Sequence, residues 1–334
     1  MIIRPWLVRE IEGEPRSAAP SCNWRRSWEL KVVQPVVKLG ELTVAAGEIK
    51  DIAGFSDLQR TIFPVVSFHD GQLEPLGSAV CIGATGWFLT ARHVVEGHIS
   101  KYRDVVDGSA GLYILWETDE RTIGGPTSYL GAPLPVIYAH PHGDVDLVSL
   151  TVGVHATTPA RLRVATLSLR TPEVGEPVAV VGFSHMRLSG EVLAGQRSSM
   201  DYERTLSVGA GKVLEVQHER LGSSMRRFPG LVTDAPIKPG MSGGPVFDQS
   251  GEVIGFNSSS LPPTLADPAW NSYVVLAGPA LELDVMASEH DGDAPSQFLI
   301  ANLVADGAVS CMAYESIDVD ATTGKVVFLP QPKA

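Results

Sequence analysis

The chain has 334 residues, 44% hydrophobic and 19% charged, with a mean hydropathy of +0.09. That composition suits a globular protein with a sizeable core and excludes disorder, collagen and coiled coil. The net charge of −12 is concentrated: residues 239–323 hold twelve acidic side chains and no Lys or Arg, after 24 basic and 26 acidic residues in the first 238.

An acidic third repels a phosphate backbone, so nucleic acid is not an expected partner. No apolar run approaches the ~18–20 residues that cross a bilayer, and no membrane association is expected. The opening Met1-Ile-Ile-Arg-Pro-Trp lacks the pattern of a secretory leader, which points to a cytoplasmic protein. Three cysteines, Cys22, Cys81 and Cys311, are too few and too scattered for a disulfide framework or a zinc cage.

Residues 1–59 carry Trp6, Trp24 and Trp28 and strand-like runs at 30–37 and 41–44, and read as an extension packed on the domain that follows. From residue 60 the chain becomes short β-branched or aromatic runs punctuated by Gly and Pro. The first group of predicted strands covers 62–68, 78–82, 87–90, 112–116, 136–138 and 147–152. After a connector at 153–173 a second group follows at 177–182, 207–216, 230–233, 245–247, 252–257 and 273–276. Two strand groups with turn signals between them predict an all-β pair of barrels, about 60–152 and 174–277. A short helix is expected at 279–287, begun by a Pro tolerated in the first turn. The remainder, 288–334, is an acidic C-terminal extension with a helical candidate at 297–304 and a hairpin of 311–318 with 325–329.

Three segments carry chemistry. Phe88-Leu-Thr-Ala-Arg-His93-Val-Val sets a histidine after a strand, where it can act as a general base. Asp144-Val-Asp146-Leu-Val-Ser-Leu opens an apolar strand with a carboxylate suited to orienting a histidine; Asp144 is the runner-up acid. Thr233-Asp-Ala-Pro-Ile-Lys-Pro-Gly240-Met-Ser242-Gly-Gly-Pro places a serine in a Gly-rich turn whose backbone N–H groups can approach a carbonyl oxygen. Singly each is weak. In the order His93, Asp146, Ser242, held by two strand groups, they match a nucleophilic triad.

Together these motifs resemble those of chymotrypsin/trypsin-like serine proteases, in the flavour of the HtrA-type bacterial branch. The likeness covers about residues 60–287. It implies a chymotrypsin-like double β-barrel and a serine endopeptidase without metal or cofactor, acting through an acyl-enzyme on Ser242. His93 is then the base, Asp146 the orienting acid, and the Gly240 and Ser242 N–H groups the oxyanion hole. The resemblance also implies a substrate pocket bordered by Pro236, Ile237, Ile254, Phe256 and Asn257, with no acid to select Lys or Arg. Where trypsin-like zymogens carry an Asp directly before the nucleophile this chain has Met241, so activation by a salt bridge to a new N-terminus is not expected. The 47 residues after Ala287 are too few for a PDZ domain. An intracellular processing protease with few protein substrates, or one dedicated protein partner, is the resulting expectation. The acidic third begins beside the nucleophile and is a candidate for steering basic segments.

Other readings carry less. Gly240-Met-Ser242-Gly-Gly244 also fits the α/β-hydrolase elbow, but a strand-like Pro-Val-Phe follows where that fold needs a helix. His140-Pro-His142-Gly-Asp144 begins a metallo-hydrolase pattern that Val145 breaks. Cys81, inside an apolar run, reads as an inert buried thiol. The rival from another class is a protease-shaped binding or scaffold protein without turnover.

Overall fold

A computed structural model describes residues 44, 47–52, 57–69, 72–102, 110–121, 128–153, 162–189, 201–217, 230–264, 270–287, 295–313, 317–319 and 326–328. Trp6, Trp24, Trp28 and the strand-like run at 30–37 lie outside these residues.

Strand β1 (Ile49–Ile52) comes first. It is followed by β2 (Ile62–His69), β3 (Gln72–Gly83), β4 (Trp87–Thr90), helix α1 (Arg92–Tyr102), β5 (Ala110–Arg121), β6 (Ser128–Pro141) and β7 (Val148–Val152). Strands β2 to β7 close into a six-stranded antiparallel barrel in the order β2-β3-β4-β7-β6-β5. Its interior holds Phe63, Val65, Cys81, Phe88, Leu112, Ile114 and Leu150, with Phe63 and Phe88 edge to face at 5.4 Å. Burial pushes the Cys81 thiol up to about 12, so it remains a protonated packing residue.

The connector contributes a short β8 (Leu167–Ser168), a strand not expected there. Then come β9 (Pro177–Ser189), β10 (Asp201–Gln217), β11 (Gly230–Thr233), β12 (Pro245–Phe247), β13 (Val253–Leu261) and β14 (Asn271–Leu276). These last six form a second ring, β12-β9-β10-β11-β14-β13, closed by the β12–β13 pairing. The fold is therefore the all-β double barrel. β1 adds to it along β10, pairing Ile49 with Gly209 through Ile52 with Leu206, so the described end of the N-terminal extension is a sheet edge of barrel two.

Four local features differ from the sequence reading or were absent from it. Helix α1 begins one residue before His93, in a stretch whose paired Val94 and Val95 favour strand and give little helical signal. Residues 279–287 are not one helix: a 3-10 turn at Gly278–Glu282 leads into strand β15 (Asp284–Ala287). Residues 297–304 likewise divide into strand β16 (Ser296–Leu299), paired with β15, and helix α2 (Ile300–Ala305). Beyond them β17 (Cys311–Met312) runs parallel to β8 rather than forming the predicted hairpin. The hairpin is the shorter pair β18 (Ile317–Val319) and β19 (Val326–Phe328).

The C-terminal extension is thus part of the core. One apolar cluster joins Ile82 and Leu89 of barrel one, Phe183 and Phe256 of barrel two, and Leu299, Ile300, Leu303 and Val304 of the extension. Polar bonds fix the same seam: Trp87 Nε1 donates to the Met286 carbonyl at 3.0 Å, and the Met286 N–H donates to Thr151 Oγ1 at 3.0 Å. The acidic third is also partly consumed internally, because Asp248 pairs with Arg170 and Glu282 with His142. Among the described residues no helix is long and apolar enough to cross a membrane.

Leu303 is 2% exposed in that seam, whereas Asn302 beside it faces solvent. Leu303→Ala is expected to cost about 2–5 kcal/mol in urea unfolding and Asn302→Ala less than about 0.5. Equal effects would contradict a core role for α2.

Candidate active site

Helix α1 opens toward the cleft, and its first N–H groups have no partner within the helix. Asp146, from the turn between β6 and β7, supplies one: its Oδ1 accepts the His93 backbone N–H at 2.9 Å. Its Oδ2 accepts from His93 Nδ1 at 2.7 Å and from the Ser258 hydroxyl at 2.5 Å. Three donors thus converge on a carboxylate whose side chain is 10% exposed. Burial alone raises its pKa, but the His93 hydrogen bond and charge, with the Ser258 hydroxyl, outweigh that and hold it below the ordinary value. Since Nδ1 serves Asp146, the His93 imidazole, 46% exposed, keeps Nε2 for the cleft.

The turn carrying Asp146 is braced by His142. Its Nδ1 accepts the N–H groups of Asp144 at 3.1 Å and Val145 at 3.2 Å, and its Nε2 lies 3.2 Å from Glu282 Oε2. Arg92 Nη1 donates to the His142 carbonyl at 3.0 Å, tying the turn to the start of α1. His140 Nδ1 accepts the Asp284 N–H at 2.8 Å. Both histidines of the metallo-hydrolase pattern therefore serve backbone geometry. Asp144 is exposed on the turn.

Ser242 arrives from barrel two in the tight turn before β12. Gly240 and Gly243 there have φ of +89° and +81°, conformations that L side chains rarely adopt. A side chain at Gly243 would also collide with Thr90 Oγ1 and the Ser78 carbonyl, so glycine is what lets this turn press against barrel one. The Ser78 N–H donates to the Ser242 carbonyl at 2.8 Å across that contact. The Ser242 hydroxyl donates to the Ser258 carbonyl at 3.3 Å. Ser258 consequently meets both the nucleophile candidate, through its carbonyl, and the acid, through its hydroxyl.

The residues expected around the pocket are all buried, Ile237 being 5% exposed and packed with Ile254 in the core of barrel two. Pro236 and Ile237 lie in the segment leading to Gly240, whose carbonyls are held by Ser272 Oγ on Ala235 at 2.6 Å and Ser260 Oγ on Ile237 at 3.0 Å. Ile254, Phe256 and Asn257 are each 0% exposed. Ile254 faces the interior of barrel two and Phe256 the seam between barrels. The Asn257 N–H and C=O are already bonded to Gly244 O at 2.8 Å and Gly243 N at 2.7 Å, leaving no backbone for a substrate. The half-exposed surface of β13 begins one residue later, at Ser258 to Ser260.

A family model described as trypsin-like peptidase domain matches residues 77–256, more than half of the chain. The chain belongs to the trypsin-like peptidase domain family. It is 28% identical over 230 residues to "Probable periplasmic serine endoprotease DegP-like" of Pseudomonas putida (strain GB-1), covering 66% of this chain and 39% of that protein. It is 28% identical over 189 residues to "Serine protease PepD" of Mycobacterium tuberculosis, covering 57% of this chain and 34% of the other. The chain therefore spans about two fifths or less of the length of these relatives. Among solved structures it is similar to "HtrA-type protease AlgW with decapeptide", at 18% identity and a TM-score of 0.40, covering 68% of this chain and 66% of that one.

Ser258 is the residue of this peptidase-domain site that sequence reasoning missed. It stands first in a run of three serines, and nothing in composition or spacing distinguishes it from its neighbours. Only its position between Asp146 and Ser242 does so.

Because the Asp146 pKa is depressed in the fold, its ionised form stabilises the protein above the usual carboxylate range, and that contribution fades as pH falls through the folded value. The stability gap between wild type and Asp146→Asn, read by urea unfolding, is expected in full at about pH 6 and to shrink below about pH 4. A gap that is constant across that range would contradict the charge-based account.

Proposed function

We propose that the chain is a serine endopeptidase in which Ser242 is the nucleophile, His93 the general base and Asp146 the acid that orients it. The observation that carries this reading is the convergence on Ser258: one residue contacts both the Asp146 carboxylate and the Ser242 hydroxyl, with His93 bonded to the same carboxylate. Ser242 Oγ attacks the scissile carbonyl while His93 Nε2 takes its proton. The tetrahedral oxyanion is met by the N–H groups of Gly240 and Ser242, and it collapses to an acyl-enzyme on Ser242 as His93 delivers its proton to the leaving amine. The same imidazole then deprotonates a water that attacks the acyl group, and passes that proton to Ser242 Oγ as the acid product leaves. Asp146, already ionised, stabilises the transient imidazolium without itself taking a proton. Attack requires Ser242 to rotate its hydroxyl away from the Ser258 carbonyl toward His93.

The half-exposed, hydroxyl-bearing Ser258–Ser260 stretch beside the Ser242 turn supports a preference for a small or medium uncharged side chain. The substrates are protein segments, restricted in number, in a processing role. The cytoplasmic setting expected from the opening residues has no support, since the Pseudomonas relative is named periplasmic. A second reading, a protease-shaped binding protein, draws on the Ser242 hydroxyl being bonded to Ser258 rather than His93.

A fluorophosphonate probe separates the two. Wild type is expected to label and Ser242→Ala not to, with the substitution lowering kcat on the order of 10⁶-fold and leaving the fold intact. Folded wild type that resists the probe would establish the binding-protein reading.

A further inference from the structure

An amide N–H in a trans peptide points opposite to the carbonyl of the preceding residue, so a loop can aim its amides into a cleft only if its carbonyls are held elsewhere. The Ser242 N–H is set by the Met241 carbonyl, and the carbonyls on either side of that one, of Gly240 and Ser242, are held as well. Met241 O accepts from the Gly244 N–H at 3.0 Å and from Asn257 Nδ2 at 3.2 Å, which turns the Ser242 N–H to the opposite side. Gly240 O accepts from the Ser78 hydroxyl at 2.9 Å, and Ser242 O from the Ser78 N–H at 2.8 Å.

Both gripping side chains are themselves fixed. Ser78 on β3 and Asn257 on β13 are each 0% exposed. The Ser78 oxygen accepts the Phe183 N–H at 2.8 Å, which leaves its own proton for Gly240 O. Asn257 divides its two amide protons between Met241 O and Val181 O, both at 3.2 Å, while its Oδ1 is buried without a partner. An amide flip would aim Oδ1 at two carbonyl oxygens, so the orientation is set by its acceptors. A residue present only for packing would avoid the cost of that orphaned oxygen. Met241 completes the arrangement from within: it is buried, and its Sδ accepts the Lys238 N–H at 3.2 Å.

We propose that Asn257, from barrel two, and Ser78, from barrel one, are positioning residues for the oxyanion-forming turn: Asn257 aims the Ser242 N–H by gripping the Met241 carbonyl, and Ser78 fixes the adjoining Gly240–Met241 peptide by gripping the Gly240 carbonyl. The proposal rests on the reading of Ser242 as nucleophile. It accounts for competence without an aspartate before the nucleophile: the turn is held by neutral hydrogen bonds already present in the folded chain, not by a salt bridge to a new N-terminus.

The test uses the full chain and a fluorophosphonate probe, separating the maximal labelling rate from the half-saturating probe concentration across pH. Ser78→Ala and Asn257→Ala are expected to slow maximal labelling by up to about a hundredfold, the scale of a group misplaced by about 1 Å. Half-saturation is expected within about threefold of wild type and the pH midpoint unchanged, because His93 and Asp146 are untouched. Ser78→Thr, which keeps the hydroxyl, is expected to recover most of the rate. Should Asn257→Ala fail to fold, the Ser78 pair carries the test. Folded Ser78→Ala labelling at the wild-type rate, or a displaced pH midpoint at full rate, would overturn the proposal while leaving Ser242 as nucleophile. Labelling equal in wild type and Ser242→Ala would instead overturn the functional reading beneath it.

Discussion

A carboxylate taken most of the way out of water needs its lone pairs answered, and Asp146 is the point at which this molecule meets that need. Barrel one supplies two donors from a single residue, the His93 backbone N–H left over at the start of α1 and the imidazole Nδ1. Barrel two supplies the third, the Ser258 hydroxyl. One anion thereby caps a helix, selects the histidine tautomer and fastens the two barrels across the cleft. The charge is sustained because these bonds favour the ionised form more than burial penalises it.

The other half of the cleft is governed by backbone direction instead of charge. The turn before β12 has its carbonyls drawn inward by Gly244, Asn257 and Ser78, and positive φ at Gly240 and Gly243 makes that path accessible. Barrel one takes part through Ser78, so the nucleophile turn is registered against the strand pair β3–β4 that leads to α1. Each barrel thus holds an element of the other's chemistry, which is why the seam between them must be rigid.

That seam is finished by the C-terminal extension. Leu299, Ile300, Leu303 and Val304 fill the apolar space where the barrels meet, and β15 bonds edge-on to side chains of β4 and β7. The 3-10 turn just before β15 supplies Glu282 to His142, the residue bracing the Asp146 turn. Through the pairing of β16 with β15 the extension is in this way physically continuous with the position of the acid.

The twelve strands of the two barrels were legible from the sequence because β-branched and aromatic runs between Gly and Pro have few other stable arrangements. His93, Asp146 and Ser242 were legible as candidates because each sits in a local pattern that chemistry restricts. Helix α1 was not, since its Val94-Val95 pair favours a strand and its N-terminal partner, Asp146, is 53 residues away. Nor was the assignment of Ile254, Phe256 and Asn257. Alternation along a strand separates two faces, but β13 is buried on both, one toward its own barrel and one toward the seam. Sequence by itself therefore determined the strands of the two barrels and the candidate reacting groups, which depend on residues near in the chain. Tertiary structure alone decided which serine meets Asp146, which amide turns Ser242 and which side chains reach the cleft, because those depend on hydrogen bonds between strands far apart in the chain.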